Sequence, residues 1–127
     1  MSVTFTDFYT FAKALSASSA EIELRNSTSR AYYAAFHLAQ TVMDRCPSNE
    51  HLAMGAHERV TERLHLQGSL SAKSLAYVLV NMKRQRKIAD YEIADPFQGS
   101  IALAQIGSFE AFEVKVADFA KKYPPLP

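Results

Sequence analysis

Arg25-Asn26-Ser27-Thr28-Ser29-Arg30-Ala31-Tyr32-Tyr33-Ala34-Ala35-Phe36-His37 is the stretch on which the fold turns. It lies inside a long helical pattern. Ser18 followed three residues later by Glu21 reads as a capping box at the start of that helix. Cys46-Pro47 stops it at about Arg45, because the residue before a proline disfavours helical geometry. At 1.5 Å per residue the element spans roughly 40 Å. Ile22, Tyr33, Phe36 and Met43 supply its expected buried stripe.

Helix punctuation continues on both sides. Thr6 or Asp7 is a candidate cap for a first helix to about Ser16, with Phe8, Phe11, Ala12 and Leu15 on one face. Ser48 or Asn49 is a candidate cap for a third helix over about 50–66, closed by Gly68. A fourth runs from about Ser71 to Tyr91. Asp95-Pro96 signals the start of a fifth, a capping side chain followed by proline at the first helical position. It ends before Tyr123-Pro124-Pro125, and Gly99 and Gly107 weaken its first half. No alternating strand pattern of convincing length is present. Short loops between amphipathic helices predict an all-α, up-and-down antiparallel bundle of four to five helices.

The 127 residues suit one domain with one core. Apolar residues make up 48% and charged residues 21%, which excludes a disordered chain. No apolar run approaches the roughly 18 residues of a membrane span. Met1-Ser2-Val3-Thr4-Phe5 lacks the basic start and apolar stretch of a signal peptide. The only cysteine, Cys46, has no internal disulfide partner, which fits a reducing cytoplasm. The net charge of +1 excludes a protein that coats nucleic acid by bulk charge, so any RNA contact must come from a local patch.

Two constellations carry candidate chemistry. In the long helix, Arg30 and His37 are seven residues apart, almost two turns, and so share one face about 10 Å apart along the axis. The same row holds Glu23, Ser27, Ala34, Thr41 and Asp44, polar except at Ala34. Such a row is also what an ordinary solvated face looks like. Tyr32-Tyr33 reads as packing rather than chemistry. The second constellation, Lys83-Arg84-Gln85-Arg86-Lys87, places four cations in five residues near the end of the fourth helix. Arg86 and Asp90 are spaced to pair on its surface, and cations there complement the helix dipole. The functional alternative is a phosphate-binding patch of Lys83, Arg84 and Arg86. His51, His57 and His65 lack the spacing of a helical zinc site, so no metal and no other cofactor is expected. His57-Glu58 reads as a capping or surface pair.

Taken together, Ser29-Arg30-Ala31-Tyr32-Tyr33-Ala34-Ala35-Phe36-His37, Ala56-His57-Glu58-Arg59-Val60 and Arg86-Lys87-Ile88-Ala89-Asp90-Tyr91 resemble the HEPN superfamily of small helical domains from prokaryotic defence and toxin–antitoxin systems. The similarity covers most of residues 19 to 120. The resemblance implies an all-α bundle that dimerises. In catalytic members, an Arg, four to six residues and a His form a metal-independent ribonuclease site across the dimer interface, and Arg30 and His37 match that spacing. Such members often place Asn, Asp or His directly after the Arg, whereas Ala31 stands here. The expected function is therefore RNA cleavage by a homodimer, with His37 as acid–base group, Arg30 stabilising developing charge, and Lys83, Arg84 and Arg86 holding flanking phosphates. The alternatives are a non-catalytic module that binds a nucleotidyltransferase-like antitoxin, and a subunit that senses a nucleotide or RNA without cutting it.

Overall fold

The computed structural model describes residues 2–48 and 54–127. Within them the chain forms five α-helices and no strand: α1 (Phe5–Leu15), α2 (Glu21–Gln40), α3 (Ala56–Gln67), α4 (Leu70–Tyr91) and α5 (Gly99–Lys122). None is long and apolar enough to cross a membrane.

Small residues place α2 at the centre. Ser27, Ala31, Ala34 and Ala35 are fully or almost fully buried, which lets α1, α4 and α5 approach closely. The Ser27 hydroxyl donates to the Ala12 carbonyl at 2.7 Å, satisfying a polar group where α1 crosses. Phe109, Phe112 and Phe119 of α5 are completely buried and fill the space between the helices. Each such ring contributes roughly 1.5–3 kcal/mol through burial. Phe36 and Met43 of the expected stripe are buried and Tyr33 is half-buried, but Ile22 is 67% exposed. Leu24 takes the inward position instead, packed against the Gly99 backbone. Likewise Phe11 faces solvent, because α1 docks through Phe5, Tyr9 and Ala12.

The bundle departs from a simple up-and-down order at one step. As numbering rises along α2, its partners on α4 fall, from Ala89 against Arg25 to Arg86 against Tyr33, so these helices are antiparallel. Along α3 the partners on α2 and beyond rise, from Tyr32 against His57 to Met43 and Cys46 against Arg63. Hence α2 and α3 run parallel. Their connection is no short hairpin: α2 ends at Gln40, five residues before the expected Arg45, and loosens into a 3₁₀ turn at Met43–Arg45. The third helix begins at Ala56 rather than near residue 50, with Gly55 as its flank. Asn49, the other expected cap, lies outside the described residues.

Local signals also shift. Thr4, not Thr6 or Asp7, flanks α1, and the Asp7 carboxylate accepts its N–H at 2.8 Å. The expected Ser18–Glu21 box does not form. Ser18 bonds Glu23 and the Ala20 N–H, while Glu21 accepts from Arg25 and from the Phe97 N–H. Ser69 caps α4 through the Ala72 N–H at 3.0 Å, and Gly68 closes α3 in the left-handed conformation at φ +83°. Asp95-Pro96 does not open α5, which starts at Gly99. The reason is Arg25: its guanidinium donates to the carbonyls of Ala89 at 2.9 Å, Glu92 at 3.2 Å and Asp95 at 2.6 Å. It thereby closes the end of α4 and holds 92–98 as a loop, with the Phe97 ring 5.0 Å away.

Candidate functional site

Arg30 and His37 emerge from α2 beside the N-terminal turns of α1. Phe8 lines a cavity beside each of them. The one at His37, of about 420 Å³, is lined by Val3, Phe5, Phe8, His37 and Thr41. The one at Arg30, of about 230 Å³, is lined by Val3, Asp7, Phe8, Phe11 and Arg30. The His37 ring lies 4.9 Å from Phe8 and 5.4 Å from Phe36, centroid to centroid. It is half-exposed, and neither ring nitrogen has a hydrogen-bond partner among the described residues. The Arg30 guanidinium sits 4.8 Å from the centre of the Tyr33 ring and donates to the Ser29 hydroxyl at 3.3 Å. Of the polar row expected on this face, Ser27 and Ala34 are buried, and Glu23, Thr41 and Asp44 are exposed.

The other predicted residues separate. Arg86 is only 9% exposed and turns inward against α2. Its Nη1 donates to the Tyr33 hydroxyl at 3.2 Å and reaches Asp90 at 3.5 Å, while its guanidinium lies 5.6–5.7 Å from the centres of the Tyr33 and Tyr32 rings. Its buried Nε has no hydrogen-bond partner among the described residues. An arginine so enclosed organises the seam between α2 and α4 and presents no open fork to a flanking phosphate. Lys83 pairs with Glu58 of α3 at 3.3 Å. Arg84 is exposed and donates to Asn81 at 2.8 Å. The helix turns it away from α2, whose neighbours on α4 are Met82, Arg86 and Ala89. Arg84 therefore stands apart from the Arg30–His37 face.

A polar seam runs from Arg30 into the bundle. Arg30 covers Tyr33, Tyr33 accepts from Arg86, Arg86 pairs with Asp90, and the Ser29 hydroxyl donates to Asp90 at 3.2 Å. At its far end the Tyr32 hydroxyl meets His57 Nδ1 at 2.6 Å. His57 is half-exposed, yet its ring is engaged by its neighbours. Its ring packs 4.6 Å from Phe36, 5.4 Å from Tyr32 and 5.8 Å from Tyr33. Burial holds its imidazole below the ordinary value of 6.5, and the charges of Lys83 and Arg86 add to that. Burial likewise pushes the Tyr32 phenol up, so it stays protonated. With no other acceptor among the described residues, the hydroxyl proton is assigned to the bond with Nδ1, which leaves the imidazole proton on Nε2. Glu58 is exposed. Its own backbone N–H, then Lys83, hold its carboxyl below the ordinary range.

Sequence reasoning missed His57, Tyr32, Ser29 and Asp90 as one network. The partners are 25 residues apart in one pair and 61 in the other, so no local spacing links them. Among the described residues no group of three His, Cys, Asp or Glu stands where it could hold a metal ion. His65 is exposed, and His51 lies outside the described residues. Cys46 is buried, and burial pushes its thiol up, away from nucleophilic use. Comparison with family models, with curated proteins and with solved structures finds no match to this chain.

Proposed function

We propose that this chain is a HEPN-like, metal-independent endoribonuclease of the cytoplasm, acting as a homodimer in a defence or toxin–antitoxin setting. The observation that carries this reading is the state of His37. It is half-exposed beside an apolar cavity, without a hydrogen-bond partner among the described residues, on the same face as Arg30. An imidazole in that condition offers its ring nitrogens to a substrate rather than to the protein's own groups.

The reaction is cleavage by the RNA's own 2′-hydroxyl. The imidazole of one His37 takes the 2′-hydroxyl proton as the 2′-oxygen bonds to phosphorus. The bond from phosphorus to the 5′-oxygen breaks, and that oxygen leaves with a proton from the imidazolium of the second copy's His37. The products are a 2′,3′-cyclic phosphate and a 5′-hydroxyl. Arg30 stabilises the negative charge that develops on the phosphorane, an electrostatic contribution worth several kcal/mol in comparable sites, roughly 3–4. A two-fold axis beside α2 supplies both histidines, since one chain has a single histidine in the row. Exposed Phe11, at 54%, and Val3, at 68%, border the same face and give it apolar surface to bury.

A second reading has its own observation. The Arg30 guanidinium is already engaged by the Tyr33 face and the Ser29 hydroxyl, and Ala31 follows it in sequence. Under that reading the domain is non-catalytic and binds a nucleotidyltransferase-like antitoxin, or senses a nucleotide or RNA. Solution mass together with RNA cleavage in the presence of a chelator separates the two. A dimer that cuts RNA and is silenced by His37→Ala, with helicity and dimerisation retained, supports the nuclease. A wild-type dimer that cuts no RNA removes the nuclease and leaves the partner module.

A further inference from the structure

We propose that the outward ridge of α4 is a track for single-stranded RNA. This rests on RNA being the substrate and adds where the strand outside the reacting centre is held. Lys73, Tyr77, Val80, Arg84, Lys87 and Tyr91 recur at spacings of four, three, four, three and four, which puts them in one stripe along the helix. All six are exposed, Tyr77 by 69% and Tyr91 by 71%. The opposite stripe, Leu75, Leu79, Met82, Arg86 and Ala89, is the one α4 buries. Aromatic side chains on the solvent side of a helix have no role in this chain's own core.

Charge selects the occupant. From Leu70 to Ala89, α4 carries five cations and no acid. Neither Arg84 nor Lys87 has an ion-pair partner among the described residues. Grooves flank the ridge on both sides. Towards α3 a cleft of about 310 Å³ is lined by His57, Lys83, Arg84 and Lys87, with Glu58 as its single acid. Towards α5 a groove of about 490 Å³ is lined by Tyr77, Asn81, Arg84 and Gln85. Arg84 borders both. A polyanion satisfies the cations, and exposed tyrosine rings add stacking faces for unpaired bases. A duplex hides its base faces, so the strand that fits is single. The ridge from Tyr77 to Tyr91 is about 21 Å long, enough for a few nucleotides. It faces away from α2, so it holds the flanking strand and leaves the scissile phosphate to Arg30 and His37.

The test uses the full-length His37→Ala chain, which binds without cutting, and a fluorescein-labelled single-stranded oligoribonucleotide followed by anisotropy across a salt series. Tyr77→Ala and Tyr91→Ala are each expected to weaken binding roughly tenfold. Arg84→Ala combined with Lys87→Ala is expected to flatten the log affinity–log salt slope by about 1.4, roughly 0.7 for each phosphate no longer neutralised. All four positions are exposed, and retained circular dichroism verifies the fold. Unchanged affinity and slope in these variants overturn the track. Equally tight binding of the matching duplex, of polyglutamate or of phosphatidylserine vesicles overturns its assignment to single-stranded RNA. The two proposals fail separately. If ridge variants in the otherwise wild-type chain cut RNA with wild-type KM, the track falls and the nuclease stands. If ridge variants lose binding while the wild type cuts nothing, the nuclease falls and the track stands.

Discussion

His37 and His57 lie against the same phenylalanine, at 5.4 Å and 4.6 Å from the Phe36 ring, yet they belong to different kinds of surface. His37 faces the α1–α2 groove, half-exposed, its nitrogens without partners among the described residues. His57 belongs to the seam between α2, α3 and α4, where Tyr32 holds one nitrogen and three aromatic rings surround it. The arginines divide the same way. Arg30 lies over the Tyr33 ring at 4.8 Å, half-exposed, and Arg86 lies 5.6 Å from the centre of the same ring, 9% exposed. One region keeps its polar groups available and the other consumes them internally. Residue type does not distinguish the two, and partner supply does: a buried polar group must be paired, whereas an exposed one is left for a ligand.

The strongest way to break this contrast is at His37. His37→Ala is expected to lower RNA cleavage about 100- to 10,000-fold, the usual worth of a general acid–base group, while the unfolding midpoint in urea barely moves. Retained cleavage would place the chemistry elsewhere. Arg86→Met should do the reverse. It strips Tyr33 and Asp90 of their cation and is expected to cost about 2–4 kcal/mol of stability in urea unfolding, against under about 1 kcal/mol for Arg30→Ala. Equal losses for the two arginines would erase the distinction between groove and seam.

Tyr32→Phe sharpens it. The ring is kept and only the hydroxyl on His57 is lost, so about 1 kcal/mol of destabilisation is expected, with cleavage unaffected. The smallest effect is in pH. Because burial depresses the His57 imidazole below 6.5, the unfolded chain binds its proton more readily than the folded one. Its contribution to stability is complete above the unfolded value and is lost as pH falls through the lower folded value. His57→Gln should therefore flatten the stability profile just below about pH 6.5 and leave it unchanged above. A profile with the same slope in both proteins would show that His57 carries none of it. The carboxylates of Glu21, Glu58 and Glu110, also held low, act in the more acidic range below 4.5.

The helical bodies were legible because each needs only local information. Apolar spacing and Gly68 after α3 mark segments that fold as helices almost wherever they are placed. Boundaries failed where a distant residue intervened. Asp95-Pro96 has every local sign of a helix start, but Arg25, 70 residues away, claims the Asp95 carbonyl. The parallel course of α3 beside α2 was illegible for a similar reason. It depends on Arg63 gathering the carbonyls of Met43, Cys46 and Pro47.

For the site, the sequence by itself determined that Arg30 and His37 share a face of one helix, since seven residues of α-helix bring side chains back into line. It also determined that α4 carries four cations in the five residues from Lys83 to Lys87. Tertiary structure alone decided which cations are enclosed and which stay open, that Phe8 lines cavities beside both Arg30 and His37, and that Tyr32 engages His57. Those outcomes rest on which helices meet and at what depth, and a pattern read along one chain contains no depth.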